Sequence, residues 1–225
     1  MVVEIISRGE KVFRNRSEAG RMLVEHLVEP AGHGALVLAV PRGGVVVGAS
    51  IAEGLSCDLD VIIVRKLGAP SNPELAIGSL MEGAEKPYLN ETIIRELGVG
   101  PKYIEQETER QRVEAERRAR AYRGDHPKAD LRGRTVIITD DGIATGATMI
   151  SSIRGAKMQE PSRIIAALPV GPRENVDKIG RMVDDLVCLS TPAFFGAVGQ
   201  FYEDFGQTSD EEVIRILRRF LPAGE

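Results

Sequence analysis

Short apolar blocks alternate with amphipathic stripes through most of the chain. Ala35–Val40, Asp60–Val64, Thr135–Thr139, Arg163–Leu168 and Leu186–Leu189 are rich in aliphatic and β-branched residues with little polar alternation. Such runs mark strands covered on both faces. Between them the period changes. Ala19, Met22, Leu23, His26 and Leu27 share one helical face, so Ser17–Val28 is predicted as a helix with Ser17 as its cap. Val45–Leu55, a stretch from about Thr148 and a stretch after Pro172 read as further helices. Strand–helix alternation of this kind predicts an α/β fold with a parallel or mixed sheet. Val2–Ile6 and Lys11–Phe13 flank Arg8-Gly9 and predict a hairpin, and Ile77–Met81 with Lys86–Leu89 predict a second strand pair. Two helices fall outside the rhythm. Pro101–Tyr122 is densely charged, with Ile104, Thr108, Gln111, Ala115 and Tyr122 on its least polar face, and is expected to be solvated. Ser209–Phe220 opens with Ser209 and Glu212 at capping-box spacing.

Composition narrows the class. The chain has 225 residues, 43% of them hydrophobic and 28% charged. That suits one globular domain with embellishments. No apolar run reaches the roughly 20 residues of a membrane helix. Met1–Arg14 alternates instead of joining a basic start to an apolar block, so no signal peptide is expected and the cytoplasm is the default. A net charge of −4 argues against a nucleic-acid-binding surface built from overall basicity. Cys57 and Cys188 lie far apart and are expected to be packing residues. They share no metal-ligand spacing with His26, His33 or His126.

The sharpest chemical signal is the run Val136-Ile137-Ile138-Thr139-Asp140-Asp141-Gly142-Ile143-Ala144-Thr145-Gly146-Ala147-Thr148. A buried strand ends in two carboxylates, and ligands of open α/β sheets bind at the carboxyl ends of strands. The small, hydroxylated loop that follows opens a helix. N–H groups at a helix N-terminus suit an anion, Gly146 allows close approach, and Thr145 and Thr148 add hydroxyl donors. A phosphate site beside two carboxylates that accept from hydroxyls fits a sugar phosphate. Neither a dinucleotide-binding Gly-x-Gly-x-x-Gly nor a Gly-Lys-Ser/Thr loop is present. Two more loops suit anions. One strand runs into Arg42-Gly43-Gly44, and another ends in Arg65-Lys66 before the Gly/Pro-rich stretch Leu67–Leu75.

The central run resembles the phosphoribosyl diphosphate signature of type I phosphoribosyltransferases. The order of motifs, with Arg65-Lys66-Leu67-Gly68-Ala69-Pro70 and Asp204–Glu212, resembles a group of bacterial members with unassigned acceptors. The resemblance implies a Rossmann-like core of parallel or mixed sheet over residues 30–190, flanked by helices. It adds a small hood from 1–16 and 190–208 and a helical insertion over 90–124. It implies that Ala144, Thr145, Gly146, Ala147 and Thr148 hold the 5-phosphate. Asp140 and Asp141 orient the ribose and supply negative charge. Arg42, Gly43, Gly44, Arg65 and Lys66 hold the diphosphate, the first three in a loop that in the family often contains an unusual cis peptide. Leu67–Leu75 then reads as a lid, with Lys66 and Glu74 as candidate catalytic groups. Phe194, Phe195, Phe201 and Tyr202 are candidates for the acceptor. Gly142 stands where the family usually has an aliphatic residue or Ser, which predicts a less packed turn.

The implied reaction moves ribose 5-phosphate to a nitrogenous acceptor, a nucleobase first of all, with release of pyrophosphate. Mg²⁺ is the expected cofactor, held through the diphosphate and reached by Asp140 and Asp141 through water, with no direct protein cage. Ala144 is not a carboxylate, so that position supplies no general base. A homodimer is compatible with the resemblance. A different class stays open, in which the chain senses phosphoribosyl diphosphate and controls a nucleic-acid or protein partner. The arginines of Pro101–Tyr122 would have to form its surface. A non-catalytic partner subunit is a third reading.

Overall fold

In the computed structural model, which describes residues 2–7, 9, 11–32 and 34–220, two sheets share one body. The larger sheet is built from β1 (Val2–Ser7), β2 (Leu36–Ala39), β3 (Asp58–Val61), β7 (Thr135–Thr139), β8 (Arg163–Val170) and β9 (Asp185–Ser190). Its order is β1-β9-β8-β7-β2-β3, and every pairing is parallel. The smaller sheet is antiparallel and joins β4 (Val64–Ala69), β5 (Asn72–Met81) and β6 (Tyr88–Leu89). The helices are α1 (Arg16–Ala31), α2 (Gly43–Leu55), α3 (Glu91–Leu97), α4 (Pro101–Arg123), α5 (Ala147–Lys157), α6 (Arg173–Gly180) and α7 (Asp210–Leu217).

Alternate residues of the large sheet feed two cores. Val37, Ala39, Ile137, Ile165, Ala167 and Val187 join α1, α2 and α7 on one face. Leu36, Leu38, Val136, Ile138, Ala166 and Leu186 join α5, α6 and the small sheet on the other. This double cover explains why these strands read as unbroken apolar runs. Cys188 is buried, and burial pushes its thiol up to about 12; Cys57 is half-buried, and its thiol is pushed up to about 11.

The N-terminal segment departs from expectation. β1 forms no hairpin with Lys11–Phe13; it pairs with β9 and becomes an edge of the large sheet. Of the two stretches expected as a hood, the first therefore gives its opening residues to the core sheet. Phe13 and Arg14 of the first stretch meet the second. Phe13 bridges to Tyr202, Phe13 N–H donates to the carbonyl of Phe201, and Asp204 N–H donates to that of Arg14. Helix α1 begins before Ser17, because the Asn15 side chain accepts from Glu18 N–H and caps it. The Ser209 cap of α7 matches the sequence reading, accepting from Glu212 N–H at 3.2 Å.

The stretch Leu67–Leu75 is not a loop. It forms the turn-proximal half of a β4–β5 hairpin with a register shift at Leu67–Gly68 and Gly68–Ala69. Helix α4 is not simply solvated either. Ala115, Ala119 and Tyr122 enter the first core, and Glu107, Gln111 and Arg123 are buried polar residues. It clasps the hairpin, with Tyr103 Oη donating to Gly68 O at 3.0 Å and Arg112 donating to Ala84 O at 2.7 Å.

Candidate active site

The carboxyl ends of β7, β2 and β3 place two loops and the short Ile62-Ile63 link to β4 side by side. Val40 N–H donates to Thr139 O at 2.9 Å and Ile62 N–H to Ala39 O at 3.0 Å, so the strands stay paired up to the loops. Asp140 and Asp141 follow β7 directly and are half-buried. They do different things. Asp140 Oδ1 accepts from the N–H of Asp141 at 2.8 Å. Burial and the charge of Asp141 push its pKa well above the ordinary carboxylate value. Asp141 Oδ2 instead accepts from Arg16 Nε at 2.8 Å.

Gly43 and Gly44 press against these acids. A β-carbon on Gly43 would overlap Asp141 Oδ2 and stand 2.8 Å from Arg16 Nε; one on Gly44 would stand 2.9 Å from Asp140 Cα. Close approach, not backbone conformation, is why glycine is needed here. Gly43→Ala is accordingly expected to fold but to displace Asp141 from Arg16. The stability cost should be about 1–3 kcal/mol, read by urea denaturation. A cost within experimental error would remove the steric argument. The Pro41–Arg42 peptide is cis, and the Arg42 guanidinium is exposed, 4.0 Å from Asp210 Oδ1.

The loop after the acids is open to ligand. Ala144, Thr145, Ala147 and Thr148 are exposed, while Gly146 is buried and has φ +72° as the N-cap of α5. Asn175 of α6 pins the loop by donating to Ala144 O at 2.6 Å. Gly142 does not leave the turn loose: a β-carbon there would lie 2.7 Å from Val198 Cγ1 and 3.0 Å from Val170 Cγ1. The missing side chain is a packing requirement.

Arg65 and Lys66 lie on β4, within the hairpin. Arg65 is half-buried and Lys66 exposed. Arg65 Nε donates to Gln111 Oε1 of α4 at 2.9 Å. Burial, then the nearby Arg118, push its pKa below the ordinary arginine value. Glu74 lies on β5, and its side chain is outside the described residues. The aromatic candidates separate. Phe194 is 84% exposed. Phe195 is half-buried and stacks on Phe201. Phe201 and Tyr202 are buried core residues and do not present a ring to solvent. Tyr202 Oη supports the site from behind by donating to Asp141 O at 2.5 Å.

Arg16 is the site residue that sequence reading missed. Besides holding Asp141, it donates to Gly206 O at 2.8 Å and lies 3.9 Å from the centroid of the Phe205 ring. A signal existed. Arg16 is the first residue of α1, where the helix dipole disfavours a cation unless an anion is near.

Two acids and an exposed loop stand together at the carboxyl edge of a parallel sheet, where open α/β sheets take their ligands. The chain belongs to the phosphoribosyl transferase domain family, whose profile matches residues 14–205. It is 40% identical over 209 residues to "Putative phosphoribosyl transferase" proteins of Mycobacterium tuberculosis strains CDC 1551 and H37Rv. That match covers 93% of this chain and 47% of theirs, so the chain spans about half the length of these curated relatives. The crystal structure of TT1426 from Thermus thermophilus is 40% identical, with a TM-score of 0.86, covering 94% of this chain and all of that one.

Proposed function

We propose that the chain transfers ribose 5-phosphate from phosphoribosyl diphosphate to a nitrogenous acceptor, a nucleobase in the first instance, and releases pyrophosphate. The observation that carries this reading is the contact between the two loops: Gly43 and Gly44 lie against Asp141 and Asp140, with the exposed Thr145 and Thr148 following the acids. Diphosphate, ribose and 5-phosphate would then be held by Arg42-Gly43-Gly44, by Asp140 with Asp141, and by Thr145, Gly146 and Thr148.

In this reading Asp140 and Asp141 face a ribose that gains positive charge as the diphosphate departs, and their negative charge favours that state. Arg42, Arg65 and Lys66 stabilise the departing anion. Two adjacent carboxylates beside a diphosphate suit Mg²⁺, which takes few protein oxygens and prefers substrate phosphates. It would be held through the diphosphate, with Asp140 and Asp141 reaching it through water, and it would neutralise charge on the leaving group. Four of the α4 arginines that a nucleic-acid-binding sensor would need are engaged by that helix's own acids. Arg110 pairs with Glu107, Arg112 with Glu109, and Arg117 and Arg118 with Glu114.

Calorimetric titration with phosphoribosyl diphosphate and Mg²⁺ tests the reading, followed by pyrophosphate release over a panel of nucleobases. Binding that disappears in Asp140→Asn/Asp141→Asn is expected, and release with one base names the acceptor. A folded wild-type protein that does not bind the donor would sink the proposal. Binding without release from any base would move the weight to the sensor.

A further inference from the structure

Helix α4 stands outside the strand–helix alternation, yet its buried polar residues form a chain that ends on a site arginine. Arg110 Nε and its terminal NH2 donate to the two carboxylate oxygens of Glu107 at 2.8 and 2.9 Å. Glu107 is only 5% exposed, and its Oε1 also accepts from Gln111 Nε2 at 2.9 Å. Because that carboxylate can only accept, it fixes which way round the Gln111 amide sits. The amide oxygen therefore faces Arg65 and accepts from its Nε at 2.9 Å.

From this geometry we infer that Gln111 is a positioning residue for diphosphate recognition, acting through Arg65. The inference rests on the transferase reading. A guanidinium is planar and rigid, so one bond at Nε sets the plane and rotation of the whole fork. Ile62 continues β3 by donating to the carbonyl of Ala39, three residues before Arg42, and Val64 opens β4 two residues later. Arg65 and the loop proposed to hold the diphosphate thus leave the large sheet from neighbouring strand ends. Without Gln111, the guanidinium would have to be ordered again each time an anion bound. A merely structural reading is available, because the same bond also ties α4 to the hairpin. Tyr103 separates the two, since its bond to Gly68 O ties the same elements without touching Arg65.

The test is isothermal titration of the full chain with three ligands: phosphoribosyl diphosphate with Mg²⁺, inorganic pyrophosphate with Mg²⁺, and ribose 5-phosphate. Gln111→Met is expected to weaken the first two by about tenfold, the scale of one hydrogen bond to a charged group. It should leave ribose 5-phosphate unchanged. Gln111→Glu/Glu107→Gln keeps an oxygen for Arg65 Nε and a donor–acceptor pair between positions 107 and 111, and is expected to retain most of the pyrophosphate affinity, which also covers the case of a Met variant that does not fold. Tyr103→Phe should alter none of the three. Equal weakening of all three ligands, the same loss in Tyr103→Phe, or unchanged pyrophosphate binding in Gln111→Met would overturn the inference. If the folded wild type binds no donor, the transferase reading fails and this inference falls with it. Donor binding in wild type with no effect at Gln111 would remove the inference alone.

Discussion

Asp140→Asn is expected to raise the melting temperature while cutting turnover by about 10²–10³-fold. Both effects have one cause. Asp140 ends a strand in a half-buried position, and burial together with the charge of Asp141 lifts its pKa well above the ordinary carboxylate value. The Asp141 N–H and the charge of Arg16 oppose that lift without cancelling it. Between the ordinary value and the raised one, the folded chain holds a proton that the unfolded chain has released. Stability of the wild type therefore falls as pH rises through that window. Asparagine has no charge to desolvate and still offers an oxygen to the Asp141 N–H, which now donates at 2.8 Å. The variant should be flat across the window, with its full advantage above it. Each kcal/mol relieved is worth about 2–4 °C for a chain of this size. Melting curves at a series of pH values check this, and parallel curves for wild type and variant would refute it. On the proposed transferase reading, turnover above that window falls because an amide brings no negative charge to a ribose becoming positive.

The parts of the fold that were legible in the sequence are those where one residue type has one physical use. The β7 strand matches its predicted bounds, Thr135–Thr139, because a run of β-branched residues buried on both faces has no helical reading. The acids, Gly146 and the two threonines could be placed for a similar reason, since strand, turn and helix start follow within a few residues. The pairing of β1 was not legible. Its partner β9 lies at the other end of the chain, and the nearby Arg8-Gly9 offered a local turn instead. The hairpin was hidden by Gly68 and Pro73, which read as loop punctuation. In the fold, Gly68 is needed because a β-carbon there would meet the Pro73 backbone at 2.7 Å.

Helix α4 shows the harder limit. Glu107, Gln111 and Arg123 are as polar as their solvated neighbours, and only their distant partners make them interior residues. Arg16 is similar, since its role depends on Asp141, far away in the chain. Hydrophobic patterning finds what is buried because it is apolar. It does not find what is buried because it is paired.

Arg123→Met is expected to cost about 3–5 kcal/mol of stability, a loss of roughly 6–20 °C in melting temperature. Arg123 is 4% exposed and closes α4 onto the sheet. Its Nε donates to Asp60 Oδ1 at 2.6 Å, its NH1 to both Glu82 oxygens at 2.8 and 2.7 Å, and its NH2 to Val61 O at 2.8 Å. Asp60 is itself 3% exposed and also accepts from the N–H groups of Val61 and Ala129. Methionine would fill much of the volume but strand two carboxylates without their shared cation. The penalty comes from the charges left behind, so Arg123→Met/Asp60→Asn should recover part of the loss. Arg123→Lys should fall between, because a point charge cannot reach all these acceptors at once. Urea denaturation gives the ordering. A cost below about 1 kcal/mol for Arg123→Met would mean that the pair does not anchor the helix. Arg123 lies about three turns beyond Gln111. Pyrophosphate affinity measured on the folded protein at low temperature should therefore survive Arg123→Met, although it is expected to fall in Gln111→Met. That contrast separates a residue that keeps α4 in place from one that uses α4 to aim Arg65.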